Sequence, residues 1–150
     1  MKKDLISLQN LYKEEIEEIL MLTESLHYDK KIKPLEGKSI GLIFDLPSLR
    51  TKVAFEIGIY QLGGQSFYLN SEDFKMGQRE PIKDISKILS RYLNGIVIRT
   101  FQHNTIVELA EESDIPVINA LSNYEHPCQV LADIYTISKK KNRLEGLKLA

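Results

Sequence analysis

The sequence predicts an α/β fold: a parallel four-stranded sheet, in the order 2-1-3-4, with helices on both faces. Three observations predict it. Short runs that are apolar almost throughout, such as Ile40-Gly41-Leu42-Ile43-Phe44 and Ile96-Val97-Ile98, are the pattern of strands buried on both sides. These runs alternate with stretches of helical periodicity, and strand-helix alternation closes into a parallel sheet through right-handed crossovers. The chain has 150 residues, 43% hydrophobic and 27% charged, which is enough for one domain with its own core.

The elements follow in order. Leu11, Tyr12, Ile16, Ile19, Leu20 and Leu26 recur at helical spacing between Glu14, Glu15, Glu17 and Glu18, so a helix is expected over about 11–28 with Asn10 as its N-cap. The α/β core is expected over about 37–140. Turn residues Pro34 and Gly37 precede the first strand at Ser39 to Phe44. Thr51 to Leu62 reads as a helix apolar on most sides, hence largely buried, stopped by Gly63-Gly64. Gln65 to Leu69 is the second strand. A polar loop runs from Asn70 to Glu80, and Pro81 opens a helix whose stripe is Ile82, Ile85, Ile88, Leu89 and Tyr92. Asn94-Gly95 ends that helix. Ile96 to Ile98 is the third strand, delivering Arg99; Asn104 caps a helix through Glu112; Pro116 to Ala120 is the fourth strand; Val130 to Lys140 is the last helix. Leu144-Glu145-Gly146 repeats the Leu35-Glu36-Gly37 that leads into the first strand, so a fifth strand is expected to begin at the end of the chain and a second domain to follow it.

Charge and cysteine usage narrow the function. Twenty Lys and Arg against 21 Asp and Glu leave a net charge of -1, so bulk electrostatics argue for no nucleic acid and no membrane surface. Any anion recognition must be local. The single cysteine, Cys128, excludes an intrachain disulfide and a multi-cysteine zinc site and fits a reducing compartment, the cytoplasm. No apolar run approaches the ~20 residues of a membrane-spanning helix. Cys128 itself is expected to be a small buried hydrophobe, with no metal site around it and His126.

In an open parallel sheet, ligands bind beyond the carboxyl ends of the strands, where the strand order reverses. Three groups of polar residues fall there. After the first strand, Pro47-Ser48-Leu49-Arg50-Thr51-Lys52 is a helix start with two hydroxyls and two cations. Ser48 can cap that helix while Arg50 and Lys52 remain solvated. Alternatively, the free N–H groups and the helix dipole seat a phosphate, with Arg50 and Thr51 adding donors. Arg99, at the mouth of a buried strand, calls for an anion, either an internal carboxylate or a ligand. His126-Pro127-Cys128-Gln129 is a second helix start that can turn His126 and Gln129 into the same cleft.

Taken together, these segments resemble the carbamoyltransferase family, and its ornithine enzymes in particular, in the N-terminal half that binds carbamoyl phosphate. The resemblance covers nearly the whole chain. It is carried by Phe44-x-x-Pro47-Ser48-Leu49-Arg50-Thr51-Lys52-x-x-Phe55-Glu56, Leu62-Gly63-Gly64, Gly77-x-Arg79-Glu80-Pro81-x-Lys83-Asp84, Leu89-Ser90-Arg91-Tyr92, Ile98-Arg99-Thr100 and His126-Pro127-Cys128-Gln129-x-Leu131-Ala132-Asp133. It implies a flavodoxin-like half of a two-domain enzyme, working without a cofactor or metal as a cytoplasmic homotrimer of arginine metabolism. The reaction it implies moves the carbamoyl group from carbamoyl phosphate to the side-chain amine of L-ornithine, giving citrulline and phosphate. Ser48, Leu49, Arg50, Thr51, Arg99, His126 and Gln129 match carbamoyl-phosphate-binding positions, and Arg99, His126 and Thr51 match the residues of the chemical step.

Leu49 departs from the family's threonine and Lys52 from its arginine; Lys75 stands where relatives often carry a glutamine that reaches a neighbouring subunit. Ornithine itself would be held by a second, amino-acid-binding domain that this chain lacks, so the chain alone is expected to turn nothing over. Putrescine, acetylornithine and aspartate enzymes are the alternatives within the family. A non-catalytic flavodoxin-like phosphate-binding module is the alternative outside it.

Overall fold

The structure, a computed structural model, describes residues 3–70, 74, 76–77 and 79–148. Its centre is a four-stranded parallel sheet of β1 (Ser39–Phe44), β2 (Gln65–Leu69), β3 (Gly95–Arg99) and β4 (Val117–Leu121), in the order β2-β1-β3-β4. The helices that position the site are α1 (Lys13–Tyr28), α2 (Leu49–Gln61), α3 (Ile82–Tyr92), α4 (His103–Glu112) and α5 (Pro127–Lys141). The expected fold class and strand order both hold.

Alternation along each strand sorts the core into two layers. Ile43, Ile96, Ile98 and Val117 face Ile82, Ile106 and Leu109 of α3 and α4. Ile40, Leu42, Phe44, Val97 and Ala120 form the opposite layer, which Ile59 of α2 completes. Each isoleucine so buried contributes about 1.5–3 kcal/mol.

Several local expectations are corrected. The first helix begins after Tyr12, whose backbone N–H donates to Glu15 Oε2 at 2.8 Å, and not after Asn10, which closes a short 3-10 turn. The α4 helix is preceded by Gln102 rather than capped by Asn104; the His103 N–H instead donates to Asn123 Oδ1 at 3.2 Å. Ile88 and Tyr92 complete the periodic stripe of α3 in sequence but lie exposed, because the buried face of α3 is centred on Ile82, Ile85 and Ser86 and they fall on its flank. Leu147 and Lys148 join no strand, and the remainder of the expected fifth strand lies outside the described residues.

The largest difference concerns α2. It was expected to be largely buried, yet Ile59 alone among its described residues is fully buried. Leu49, Val53, Ile57 and Tyr60 recur at helical spacing along the outward face, at 78%, 46%, 50% and 76% exposure. The physical reason is position: α2 covers β1 and the edge strand β2, with sheet on one side of the helix and, among the described residues, no element packed on the other. Gly63, at φ +90°, ends the helix as expected, and a Cβ there would stand 2.9 Å from Lys33 Cβ.

Candidate active site

The strand register brings the candidate residues to one edge. Phe44 pairs with Arg99, and Arg99 pairs with Leu121, so the ends of β1, β3 and β4 lie side by side. The chain then turns into α2 at Ser48 and into α5 at His126. Arg99 alternates with Val97 and therefore points into the α2 layer, whereas Thr100 points to the α3 and α4 layer.

Arg99 meets Thr51 there: Nη1 donates to Thr51 Oγ1 at 3.2 Å. Among the described residues no carboxylate pairs with Arg99, and its Nε is buried with no partner. The Nδ1 of His126 is buried and unpartnered in the same way. Burial lowers the His126 pKa below 6.5, the positive charge of Arg99 lowers it further, and Asp133 opposes both. A neutral imidazole and a guanidinium with an unused N–H thus stand near each other at the sheet edge. Protein interiors rarely leave such groups orphaned, because a buried donor without a partner costs about 1–3 kcal/mol. Their common need is an anion or a polarised carbonyl.

The helix starts supply the rest. Ser48 has the extended backbone of an N-cap, but its hydroxyl caps no amide, so the first N–H groups of α2 keep their outward donors. Arg50 is exposed on that first turn; the Leu49 side chain points outward, so this position offers the site only its backbone. Lys52 turns away: its Nζ lies 3.6 Å from the centroid of the Tyr68 ring on β2, a cation–π contact. Gln129 is on the first turn of α5, and its side-chain amide donates along the helix to Asp133 Oδ1 at 2.9 Å. The structure thus joins Thr51, Arg99 and His126, places Ser48, Leu49 and Arg50 on the adjoining helix start, and leaves the Gln129 side chain engaged elsewhere. Lys75 lies outside the described residues.

Cys128 was expected to be buried and is half-buried; its thiol is turned inward, donating to the Asn119 carbonyl at 3.4 Å, and burial pushes its pKa up to about 11. Among the described residues no group of three or more His, Cys, Asp or Glu could hold a metal, and no helix is long and apolar enough to cross a membrane. A cleft of about 670 Å³ between Asp45, Gly77, Pro81, Thr100 and Glu108 opens on the α3 and α4 layer, across the sheet from Arg99. Sequence reasoning missed two residues of the site's support, Asn119 and Glu125, because a buried asparagine in a strand carries no signal of its own.

Residues 3–139 match the family model described as the aspartate/ornithine carbamoyltransferase, carbamoyl-P binding domain. The chain belongs to this family. The ornithine carbamoyltransferase of Thermococcus kodakarensis is 47% identical over 98% of this chain and 48% of its own length; that of Methanobrevibacter smithii is 50% identical over 91% and 46%. The solved ornithine carbamoyltransferase of Pyrococcus furiosus superposes with a TM-score of 0.92 at 41% identity, over 97% of this chain and 48% of that one. An N-acetyl-L-ornithine transcarbamylase, solved with carbamyl phosphate, is similar at a TM-score of 0.84 and 28% identity, over 93% and 48%. This carbamoyltransferase chain therefore spans about half the length of the relatives it matches.

Proposed function

We propose that this chain is the carbamoyl-phosphate-binding half of an ornithine carbamoyltransferase. The observation that carries the reading is the Arg99–Thr51 contact beside two buried, unpartnered nitrogens, Arg99 Nε and His126 Nδ1. Phosphate would sit on the first turn of α2, held by the backbone N–H of Leu49 and its neighbours, by the Ser48 and Thr51 hydroxyls, and by the fork of Arg50. The carbamoyl oxygen would face Arg99, Thr51 and His126.

When the side-chain amine of L-ornithine attacks the carbamoyl carbon, a C–N bond forms and negative charge grows on that oxygen. Donors already in place stabilise it without reorganisation. The bond to phosphate then breaks as the leaving oxygen takes up the amine proton, so hydrogen phosphate departs as a dianion toward Arg50 and the helix start. Citrulline and phosphate are the products. Holding both reactants in line supplies much of the remaining acceleration. Gln129 can join the carbamoyl group once its amide exchanges Asp133 for the ligand.

The amine substrate would come from a second domain, and the ornithine reading rests on the relatives at 47% and 50% identity. The similarity to an N-acetyl-L-ornithine transcarbamylase supports acetylornithine as the second reading. A homotrimer is supported by the outward apolar stripe Leu49, Val53, Ile57 and Tyr60 of α2, a surface suited to self-association. A single cysteine, Cys128, fits the cytoplasm.

Titrating the 150-residue chain with carbamoyl phosphate and with inorganic phosphate, while following backbone amide resonances, tests the proposal. Ser48, Arg50, Thr51, Arg99 and Gln129 are expected to shift together with carbamoyl phosphate, and only the α2 start with phosphate. No response at Arg99 and Gln129 would overturn it.

A further inference from the structure

The loop that delivers His126 is tied to the N-terminal segment through two side chains. Asn119 is fully buried, and each polar group it has is used. Its Nδ2 donates to the Ile6 carbonyl at 2.9 Å and to the Glu125 carbonyl at 3.3 Å; its Oδ1 accepts from the Leu121 N–H at 2.9 Å. Its backbone N–H donates to the Leu5 carbonyl at 2.8 Å, and its carbonyl accepts the Cys128 thiol. Glu125 is the other tie. One carboxylate oxygen accepts from the Ser7 hydroxyl, and the other from the Leu8 N–H at 2.9 Å. Leu5 bridges in parallel to Ile118, and Asp4 Oδ1 accepts from the Val117 N–H at 2.7 Å, so the segment lies along β4 as an added edge.

This network surrounds an irregular backbone. Leu121 has φ +152°, uncommon for a residue with a branched side chain. The β3–β4 register shifts between Ile98 and Arg99, so that Arg99 pairs with Leu121 and Ala120 is passed over. Such a conformation persists only where its surroundings determine it. Asn119 Oδ1 holds the Leu121 N–H, while its Nδ2 reaches the carbonyl immediately before His126. One side chain therefore touches both the backbone beside Arg99 and the backbone beside His126.

We infer that Asn119 and Glu125 are positioning residues that set His126 against Arg99, with the N-terminal segment Asp4 to Leu8 as their anchor. The inference deepens the carbamoyl-phosphate reading and rests on it for its consequence, while the placement of His126 can be measured without any ligand. The charged groups bearing on His126 are Arg99 and Asp133, and neither is altered by the variants that follow.

Three variants of the 150-residue chain test it: Glu125→Ala, Glu125→Gln and, as a control, Lys139→Ala, which removes the Lys139–Glu24 pair between α5 and α1. Asn119→Ala is the direct variant, but it takes the side-chain partner from the Ile6 carbonyl and the Leu121 N–H in the interior and can fail to fold; Glu125 is only half-buried. The readouts are thermal unfolding, the NMR titration midpoint of the His126 ring, and the amide response to carbamoyl phosphate.

Glu125→Ala is expected to move the His126 midpoint upward, toward that of an exposed histidine, and to weaken the carbamoyl phosphate response on the order of tenfold. Glu125→Gln, which keeps one acceptor oxygen, is expected to restore most of both. Lys139→Ala is expected to change neither. A His126 midpoint unchanged in Glu125→Ala, or moved equally in Lys139→Ala, overturns the inference. If the parent chain shows no response to carbamoyl phosphate, the functional proposal fails, while the shift of the His126 midpoint still decides the positioning role.

Discussion

Arg99 Nη1 donates to Thr51 Oγ1 at 3.2 Å, joining a strand end to a helix start 48 residues earlier in the chain, while Arg99 Nε is buried with no partner. A side chain so placed is held ready for a ligand at the expense of the folded state. Arg99→Met is therefore expected to abolish the amide response to carbamoyl phosphate while leaving stability unchanged or raised by about 1 kcal/mol, since the orphaned donor goes with it. Thermal unfolding and ligand titration of the same sample check both halves. A loss of several kcal/mol would mean that Arg99 has a structural partner.

Arg50 separates binding from stability in the opposite way. It is exposed on the first turn of α2, so Arg50→Ala is expected to change stability by less than about 0.5 kcal/mol. The response to both phosphate and carbamoyl phosphate should nearly vanish, and in the whole enzyme turnover with it. Lys52→Met should leave phosphate binding nearly intact, since Lys52 is engaged with Tyr68.

The lowered pKa of His126 has a thermodynamic consequence. Burial and then Arg99 hold it below 6.5, so below about that pH the unfolded chain binds more protons than the folded one. Stability is complete above pH 6.5, declines as the pH falls through the interval down to the folded value, and then levels. Unfolding temperatures measured between pH 7.5 and 5 should fall more steeply for the parent than for His126→Gln. Parallel curves would place the imidazole in solvent.

Cys128 should be unreactive. With its thiol buried and its pKa at about 11, the thiolate is scarce at pH 8, and modification by an aromatic disulfide reagent should be at least roughly tenfold slower than for a free cysteine. Addition of denaturant should restore the ordinary rate. Fast labelling of the folded chain would contradict the packing of α5 on β4.

Gly63 is held at φ +90° with Lys33 Cβ 2.9 Å from where its own Cβ would be. Gly63→Ala should cost about 1–3 kcal/mol, from backbone strain and the close contact together. The denaturant midpoint measures it, and Gly58→Ala, where a Cβ meets nothing within 4 Å, is the matched control and should be neutral or slightly stabilising.

Much of this molecule is legible in local patterns because the forces behind them act over a few residues. Ile96-Val97-Ile98 has to be a strand buried on both faces, and Pro47-Ser48 has to end one element and begin another. The strand order 2-1-3-4 was a choice among the few arrangements that chain crossing rules leave for alternating elements, and the structure has it. The errors occurred where exposure depends on what lies beyond the helix. Val53, Ile57 and Tyr60 were read as core because apolar side chains alone do not reveal that α2 covers the edge of the sheet. Ile88 and Tyr92 continue the apolar stripe of α3 in sequence, but helical spacing alone does not show how wide a face the neighbouring layer covers.

By itself the sequence determined the alternating elements, the turn of hydroxyls and cations after β1, Arg99 at a strand mouth and His126 before a helix. Only the tertiary structure decided that Thr51 and Arg99 touch, that Lys52 turns to Tyr68, and that Asn119 and Glu125 bind the His126 loop to the N-terminal segment. Those contacts span 48, 16, 113 and 117 residues along the chain, and no local preference encodes them. They exist because packing the two faces of one sheet leaves the ends of β1, β3 and β4 side by side.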